Sequence, residues 1–249
     1  MSEAVAAARA VHIMRQAGLL VDFEPVLQEN YRRFLSPGDV VIDIGAHTGR
    51  HLKAMLDIIG PTGQAIAVEP QPKIFSYLST EYGHRANVSL HNVALSNFDG
   101  TTTFQVATNS PEESGILRRR FNTDNVQVEE IEVDVARADT LLQGAPVARY
   151  IKIDVEGAEL LLLDGARNFL ARSRPIISVE YGFPGYSAYG GTKLGLFDFA
   201  NSIGYSCADL YGNLIDTTDE WNRVCDWAYW DYLLLPYERR VEFLSLFER

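Results

Sequence analysis

The stretch VVIDIGAHTGR, from Val40 to Arg50, joins an apolar run to a turn with two glycines. The run VVIDI suits a buried strand, and the residues His51–Ile59 that follow suit a helix. Gly45 and Gly49 lie where the strand ends and the helix begins, and glycine lets a backbone approach a ligand closely there. The stretch therefore predicts a βα unit with a cofactor at its turn. Ordinary turn chemistry is the alternative explanation of the two glycines.

The same alternation continues along the chain. Further apolar runs predict strands at QAIAVE, VSLHNVA, YIKIDV and PIISVEY, and helical patterns cover Pro72–Tyr82, Ala158–Leu170 and Lys193–Ile203. Helices over residues 4–17 and 24–35 precede the first strand, and the tail adds the strands YSCADLY and YWDYLLLP. This order predicts a doubly wound, Rossmann-like α/β sheet with an antiparallel last strand.

Length and charge limit the class of protein. The 249 residues fit one domain, predicted as N-terminal helices in 1–36, a cofactor-binding core in 38–182, and a C-terminal part with the acceptor loop and last strands in 183–249. The 33 acidic and 22 basic side chains give a net charge of -11, which argues against a nucleic-acid partner. A small or neutral substrate fits better.

Neither cysteine spacing nor hydropathy indicates secretion or a membrane. Cys207 and Cys225 show no metal-ligand or disulfide spacing, and Arg9 and Arg15 interrupt the apolar N-terminal run. No apolar stretch approaches the roughly 18 residues of a membrane span. These features predict a soluble cytoplasmic protein and leave its oligomeric state open.

Polar residues at the next two strand ends extend the predicted cofactor site. The second strand ends in Glu69, whose carboxylate can accept both hydroxyls of a ribose. The third strand ends in Asn92 and Val93, whose amide and backbone are placed to meet an adenine. The glycine spacing is GxxxG rather than GxGxxG, so a nicotinamide dinucleotide is the weaker prediction.

The segment YIKIDVEGAEL, Tyr150 to Leu160, gathers three carboxylates where the fourth strand stops. If strands one, four and five are neighbours, Asp154 and Glu180 emerge side by side at one crevice, and a charge there needs a partner. Glu156 and Glu159 share one face of the following helix, where acids complement the helix dipole. For those two, helix-start chemistry competes with a role in the site.

These motifs together resemble a known family. DIGAHTGR, AVEPQP, NVALSN, IKIDVEGAE and SVEYG are similar to segments of the FkbM family of S-adenosylmethionine-dependent methyltransferases, over about residues 38 to 182. The resemblance implies a seven-stranded class I methyltransferase sheet and methyl transfer to a hydroxyl of a sugar or polyketide-like molecule. It assigns Asp43, Gly45 and Gly49 to the cofactor loop, Glu69 to the ribose, and Asp154 to the acid after strand four. His47 stands where many members have asparagine.

The catalytic prediction is that Asp154 or Glu180 removes the proton of the acceptor hydroxyl. The rival is a Mg²⁺-type ion held by Asp154, Glu180 and Glu156 that would lower the pKa of that hydroxyl. Two other functions stay open at this point: an NAD-dependent oxidoreductase, disfavoured by the missing GxGxxG and Tyr-xxx-Lys, and a cofactor-binding protein without catalysis.

Two irregular segments are predicted to recognise the acceptor. The first holds two strands, TTTFQVA and VQVEEIEVDV, around a loop with the basic cluster Arg118, Arg119 and Arg120, for which a solvated face is the favoured explanation. The second, YGFPGYSAYGGTK, offers tyrosines for a small-molecule or glycan hydroxyl acceptor. Core packing is favoured for Tyr181 and competes evenly for Tyr186 and Tyr189.

Overall fold

The computed structural model describes residues 1–117 and 125–247. In this part the strands are β1 (Val40–Ile44), β2 (Gln64–Val68), β3 (Val88–His91), β4 (Ala94–Ser96), β5 (Gly100–Ala107), β6 (Val128–Arg137), β7 (Tyr150–Ile153), β8 (Ile176–Glu180), β9 (Tyr205–Ala208), β10 (Leu214–Ile215) and β11 (Asp231–Pro236). The helices are α1 (Glu3–Gln16), α2 (Glu24–Phe34), α3 (Arg50–Ile59), α4 (Pro72–Tyr82), α5 (Ala138–Leu141), α6 (Glu159–Asp164), α7 (Arg167–Ser173), α8 (Phe183–Ala188), α9 (Gly195–Ser202), α10 (Thr218–Val224) and α11 (Arg240–Ser245).

The main sheet has the order β10-β9-β11-β8-β7-β1-β2-β3. The β8, β7, β1, β2 and β3 strands run parallel, and β11 runs antiparallel to both β8 and β9. The predicted doubly wound sheet, the adjacency of strands one, four and five, and the antiparallel last strand are confirmed. The strand count differs, because the two-residue β10 adds an edge hairpin whose turn is held by Asp209, a carboxylate that accepts N–H groups from Tyr211 and Asn213.

A second, three-stranded sheet has the order β4-β6-β5. The pair of strands predicted between Thr103 and Val135 is present as the long antiparallel β5–β6 ladder. The single predicted strand VSLHNVA is split, because the chain turns after His91 and Ala94–Ser96 pairs with β6 instead. The Asn92 side chain lies in that turn and donates to the carbonyls of Glu69 and Pro70, at 2.8 and 3.0 Å.

The helix predicted over Ala158–Leu170 is two helices, α6 and α7. Gly165 ends the first, and a Cβ there would lie 2.1 Å from the carbonyl oxygen of Ser96, so the chain is tightly packed at this point. Asp139 of α5 accepts the backbone N–H groups of Asn168 and Phe169 in the first turn of α7. A carboxylate from a distant segment therefore starts the second helix.

Helices cover both faces of the main sheet. On one face α2 packs on α3, where Tyr31 and Phe34 are buried against Tyr150 of β7. On the other face α1 packs against α10. No helix in the described ranges is long and apolar enough to cross a membrane. The N-terminal helices, for which the sequence left several placements open, thus brace the sheet and bring the start of α2 to the edge where the parallel strands end.

Candidate active site

A cavity of about 520 Å³ opens at the carboxyl ends of the parallel strands. Its lining includes the predicted site residues Gly45, Glu69, Val93, Asp154 and Glu180, together with Glu156. The volume lies within the usual range of ligand pockets, and the position is where doubly wound sheets bind their ligands. The predicted crevice therefore exists, and most of the predicted residues meet there.

The glycine turn is dictated by close packing. Gly45 has φ +77°, and a Cβ on it would lie 1.8 Å from the backbone oxygen of Asp154. Its N–H and that of Ala46 donate to the carbonyl of Val68, both at 3.0 Å, so the turn is tied to the end of β2. Gly49 has φ +86° and a Cβ there would lie 2.5 Å from the Tyr82 ring. Gly45 thus brings the ends of β1 and β7 together beside the cavity.

Asp43, the predicted acid of the cofactor loop, is fully buried. Neither of its carboxylate oxygens has a hydrogen bond of ordinary geometry within the described ranges. Its register partner across β1 and β7 is Lys152. Burial raises the pKa of Asp43, while the positive charge of Lys152 opposes that rise. Asp43 is therefore not among the residues that line the cavity, whereas its neighbour Lys152 is.

Glu69 is buried at the end of β2 and lines the cavity. One carboxylate oxygen accepts the N–H of His47 and the other accepts that of Gln71, each at 2.9 Å. Burial raises its pKa to about 7 although these two N–H groups act in the opposite direction. Each oxygen keeps a second lone pair, so the acid is held in place and still able to accept from a ligand hydroxyl.

Lys152 is the buried cation that the sequence analysis missed. Its Nζ lies 2.9 Å from Oδ2 of Asp154, and its side chain is 6% exposed. Burial alone would lower its pKa, but the charges of Asp154, Asp43 and Glu180 raise it above the ordinary value, so the lysine stays protonated. A lysine inside the apolar run YIKI was the available signal, since an unpaired charge is rarely placed in a buried strand.

Glu180 lies beside this pair at the end of β8 and lines the cavity. Asp231 of β11 is its register partner. Burial, followed by the nearby charges of Asp154, Glu156 and Asp231, raises the pKa of Glu180 well above its ordinary value. Burial and Asp154 likewise raise the pKa of Asp231 to about 7. Glu180 therefore holds a proton at a higher pH than an exposed glutamate does.

Of the two remaining acids of DVEGAE, Glu159 supports the start of a helix and Glu156 lines the cavity. Glu159 is buried, and its carboxylate accepts the N–H groups of Gly157 at 2.8 Å and Val155 at 3.4 Å, which supports the helix-start explanation for this residue. Glu156 adopts φ +60° and lines the cavity. In the described ranges no group of three or more histidine, cysteine, aspartate or glutamate residues is arranged to hold a metal ion.

Two further residues that line the cavity, Glu24 and His51, come from segments to which the sequence assigned no function. Glu24, at the start of α2, lines the cavity, and its Oε2 lies 3.0 Å from Nε2 of His51. Tyr31 completes the chain, with its hydroxyl 2.8 Å from Nδ1 of His51. The sequence analysis had no signal for this group, because helical spacing does not reveal that α2 crosses the start of α3.

His47, whose role was left open, lines the cavity with φ +47°. Its buried Nε2 has no hydrogen-bond partner among the described residues. Burial lowers its pKa, against the charges of Glu112 and Asp154, so the imidazole is neutral near pH 7. It offers a neutral donor or acceptor to a ligand.

The two segments predicted to recognise the acceptor differ in how they relate to the cavity. Glu112, Ser114 and Ile116 line the cavity, whereas the Arg118–Arg120 cluster lies outside the described residues. The hydroxyls of the three candidate tyrosines are engaged within the chain: Tyr181 donates to Thr192 O at 2.6 Å, Tyr186 to Asp226 at 2.7 Å, and Tyr189 accepts the N–H of Leu117 at 2.9 Å. These bonds support packing roles.

The sheet order, with its antiparallel strand between β8 and β9 and a cavity at the parallel strand ends, defines a class I methyltransferase fold. A profile of the methyltransferase FkbM domain matches residues 43–210, so the chain belongs to the FkbM methyltransferase family. The predicted enzyme class, an S-adenosylmethionine-dependent methyltransferase, is thereby confirmed. The alternative of an NAD-dependent oxidoreductase finds no support.

Solved structures with similar folds are distant in sequence. An FkbM methyltransferase from Methylobacillus flagellatus KT is 16% identical with a TM-score of 0.48, and the match covers 93% of this chain but only 58% of that one. The O-methyltransferase TomG from Streptomyces achromogenes, in complex with S-adenosylmethionine, is 12% identical with a TM-score of 0.46, covering 95% and 91%. Aeropyrum pernix fibrillarin with natively bound S-adenosylmethionine is 15% identical with a TM-score of 0.43, covering 80% and 67%. No curated protein matches the chain.

Proposed function

We propose that the protein methylates a hydroxyl of a sugar or polyketide-like small molecule with S-adenosylmethionine bound in the cavity. The observation that carries this is the charge of the lining. Its carboxyl groups (Glu24, Glu69, Glu112, Asp154, Glu156 and Glu180) outnumber its lysine and arginine side chains (Arg50 and Lys152). A concave site with excess acid favours a cation, and the cofactor carries a sulfonium.

The lining also fits the other parts of such a cofactor. Glu69 offers carboxylate oxygens at the end of β2 for a ribose, and apolar residues at the far end, including Val93, Leu95 and Phe104, suit an adenine. Asn92 holds the turn beside them through its bonds to the carbonyls of Glu69 and Pro70. When bound, the cofactor supplies a methyl group already activated for transfer to oxygen.

Asp154 is the proposed base. The Lys152 ammonium holds its carboxylate at 2.9 Å, and the Asp154 side chain remains 30% exposed at the cavity. Glu180 is less suited to start as a base because burial and its acidic neighbours raise its pKa and so favour its protonated form. Its role is to lie beside Asp154 and supply a hydrogen bond to the acceptor or to a water. A divalent ion held by Asp154, Glu180 and Glu156 is the competing mechanism, which the lack of any such metal-holding group in the described ranges disfavours, and it predicts a rate that depends on added Mg²⁺.

The first test is calorimetric titration with S-adenosylmethionine. The wild-type protein should bind, and Glu69→Ala should bind about 10-fold to 100-fold more weakly, as expected for lost hydrogen bonds to a charged group. Glu132→Ala, which removes an exposed acid from β6, is the matched control and should bind as the wild type does. Absence of binding by the wild type would refute the proposed function and call for a titration with NAD.

The second test concerns the acceptor. A panel of hydroxylated sugars and polyketide-like metabolites is offered with the cofactor, and methyl transfer is followed by mass spectrometry. Transfer to nitrogen or carbon, rather than to oxygen, would contradict the hydroxyl assignment. A single-domain organisation over residues 1–249 and a cytoplasmic location remain predictions from the sequence.

A further inference from the structure

The cavity is completed by a segment that lies before the matched family range. That range begins at residue 43, whereas α2 begins at Glu24 and brings this carboxylate to the cavity. The Glu24 side chain is 35% exposed, so it is neither buried in the core nor fully in solvent. Glu24 therefore reaches the site from outside the matched range.

Glu24 is held by a chain of polar contacts that leads into the core. Nε2 of His51 lies 3.0 Å from its Oε2, and the buried hydroxyl of Tyr31 lies 2.8 Å from Nδ1 of the same ring. When Tyr31 donates to Nδ1, Nε2 is the ring nitrogen that carries the hydrogen, and it is the nitrogen nearer Glu24. His51 lowers the pKa of Glu24 despite partial burial, so the group is an anion at neutral pH.

The position of Glu24 along the cavity indicates which end of a ligand it meets. The sheet order places β2, with Glu69, between β3 on one side and β1 and β7 on the other. The lining near β3 and β4 is apolar, with Val93 and Leu95. Toward β1 and β7 it is charged, and Arg50 there lies 3.7 Å from Glu24. A ligand with its ribose at Glu69 would thus extend its polar end toward Glu24.

We propose that Glu24, positioned by His51 and Tyr31, binds the α-ammonium group of the amino-acid half of S-adenosylmethionine. The inference rests on the proposed function, since it assigns one more residue to the same cofactor. It also predicts that residues outside the family's matched domain set the affinity for the cofactor. Glu24 is a binding residue under this proposal, and His51 and Tyr31 are positioning residues.

Three ligands separate the possible contacts of Glu24. S-adenosylmethionine carries the sulfonium and the ammonium, S-adenosylhomocysteine keeps only the ammonium, and 5′-methylthioadenosine has neither. Calorimetry measures the affinity of the full chain for each. Glu24→Gln should weaken the first two about 10-fold to 100-fold and leave 5′-methylthioadenosine unchanged within 2-fold.

The control is Glu29→Gln, which removes the same charge from the solvent face of α2, where Glu29 pairs with Arg32 at 3.1 Å. It should leave all three affinities within 2-fold of the wild type. Tyr31→Phe keeps the ring but cannot donate to His51, and should give a smaller loss of about 3-fold to 5-fold with the same ligand selectivity. A general folding defect would not preserve that selectivity.

The outcomes are distinguishable. Wild-type protein that binds none of the three ligands refutes the proposed function itself. Wild-type binding with an unchanged Glu24→Gln variant overturns the inference alone, and so does an equal loss for all three ligands. A loss confined to S-adenosylmethionine assigns Glu24 to the sulfonium and also overturns the proposal.

Discussion

Replacing Lys152 with methionine tests whether one buried cation holds the carboxylates of the site together. The Lys152 side chain is 6% exposed and its Nζ lies 2.9 Å from Asp154, with the fully buried Asp43 as its register partner. Removing one member of a buried pair costs about 3–5 kcal/mol, and the 30% exposure of Asp154 favours the lower end. A loss of about 3 kcal/mol corresponds to a fall in Tm of roughly 6–12 °C for a chain of this size.

The loss of folding stability in Lys152→Met should be larger at high pH than at low pH. Lys152 in the wild type has a raised pKa, so it stays protonated throughout pH 5 to 8, and any change of its stabilising effect in that range comes from the carboxyl groups around it. Lys152 opposes the raised pKa values of Asp43 and Asp231, so without it these values rise further, and the folded state binds protons more tightly than the unfolded state. Stability of Lys152→Met therefore falls as the pH rises, and its deficit is smaller at pH 5 than at pH 8.

The assay is urea unfolding of both proteins at pH 5 and pH 8, with the free energy of unfolding extrapolated to water. Lys53→Met is the matched control, because Lys53 forms a pair with Asp57 of similar length, 2.8 Å, on an exposed surface. That control should show no measurable change, as expected for exposed pairs. A Lys152→Met deficit that is independent of pH, or no larger than that of the control, would refute the buried-cation reasoning.

Three further predictions follow from the site. Gly45→Ala should lower both Tm and cofactor affinity, because its Cβ would lie 1.8 Å from the Asp154 carbonyl oxygen; an unaltered melting curve would contradict the close packing. Affinity for S-adenosylmethionine should rise with pH through about pH 7 and level off above that range, because the ionised form of Glu69 is the better acceptor; a pH profile unchanged in Glu69→Gln would exclude Glu69 as the cause. Asp154→Asn should lower kcat by at least about 100-fold while changing cofactor affinity much less, and unchanged turnover would remove Asp154 as base or metal ligand.

Most of the main sheet was predictable because its signals are local. Apolar runs ending in Asp43, Glu69 and Asp154 mark strands, and alternation with helices implies parallel neighbours whose ends meet. The elements that were predicted wrongly depend on distant contacts. The helix break at Gly165 follows from packing against Ser96, and the division of the third strand follows from pairing with β6. Neither contact is visible in the periodicity of the segment it interrupts.

The site shows the same division between local and distant causes. Acids at strand ends were found because their position along the strand is enough to bring them together. Glu24 and His51 were missed because their meeting depends on how α2 lies across α3, which packing of Tyr31 and Phe34 decides. Lys152 was visible as a charge in an apolar run, but its importance depends on three acids from separate strands.

The carboxylates in and around the site differ in which groups hold them in place. Glu159 and Glu69 each accept two backbone N–H groups, so their positions are fixed by the fold before any ligand arrives. Asp154 is held instead by the Lys152 side chain, and burial together with its acidic neighbours raises the pKa of Glu180. Glu159 is buried and is not among the described residues that line the cavity, whereas Asp154 lines it with a side chain that is 30% exposed. Asp154 and Glu159 belong to the same short motif, DVEGAE. Asp154 is the proposed base because it is the one of the two that reaches the cavity.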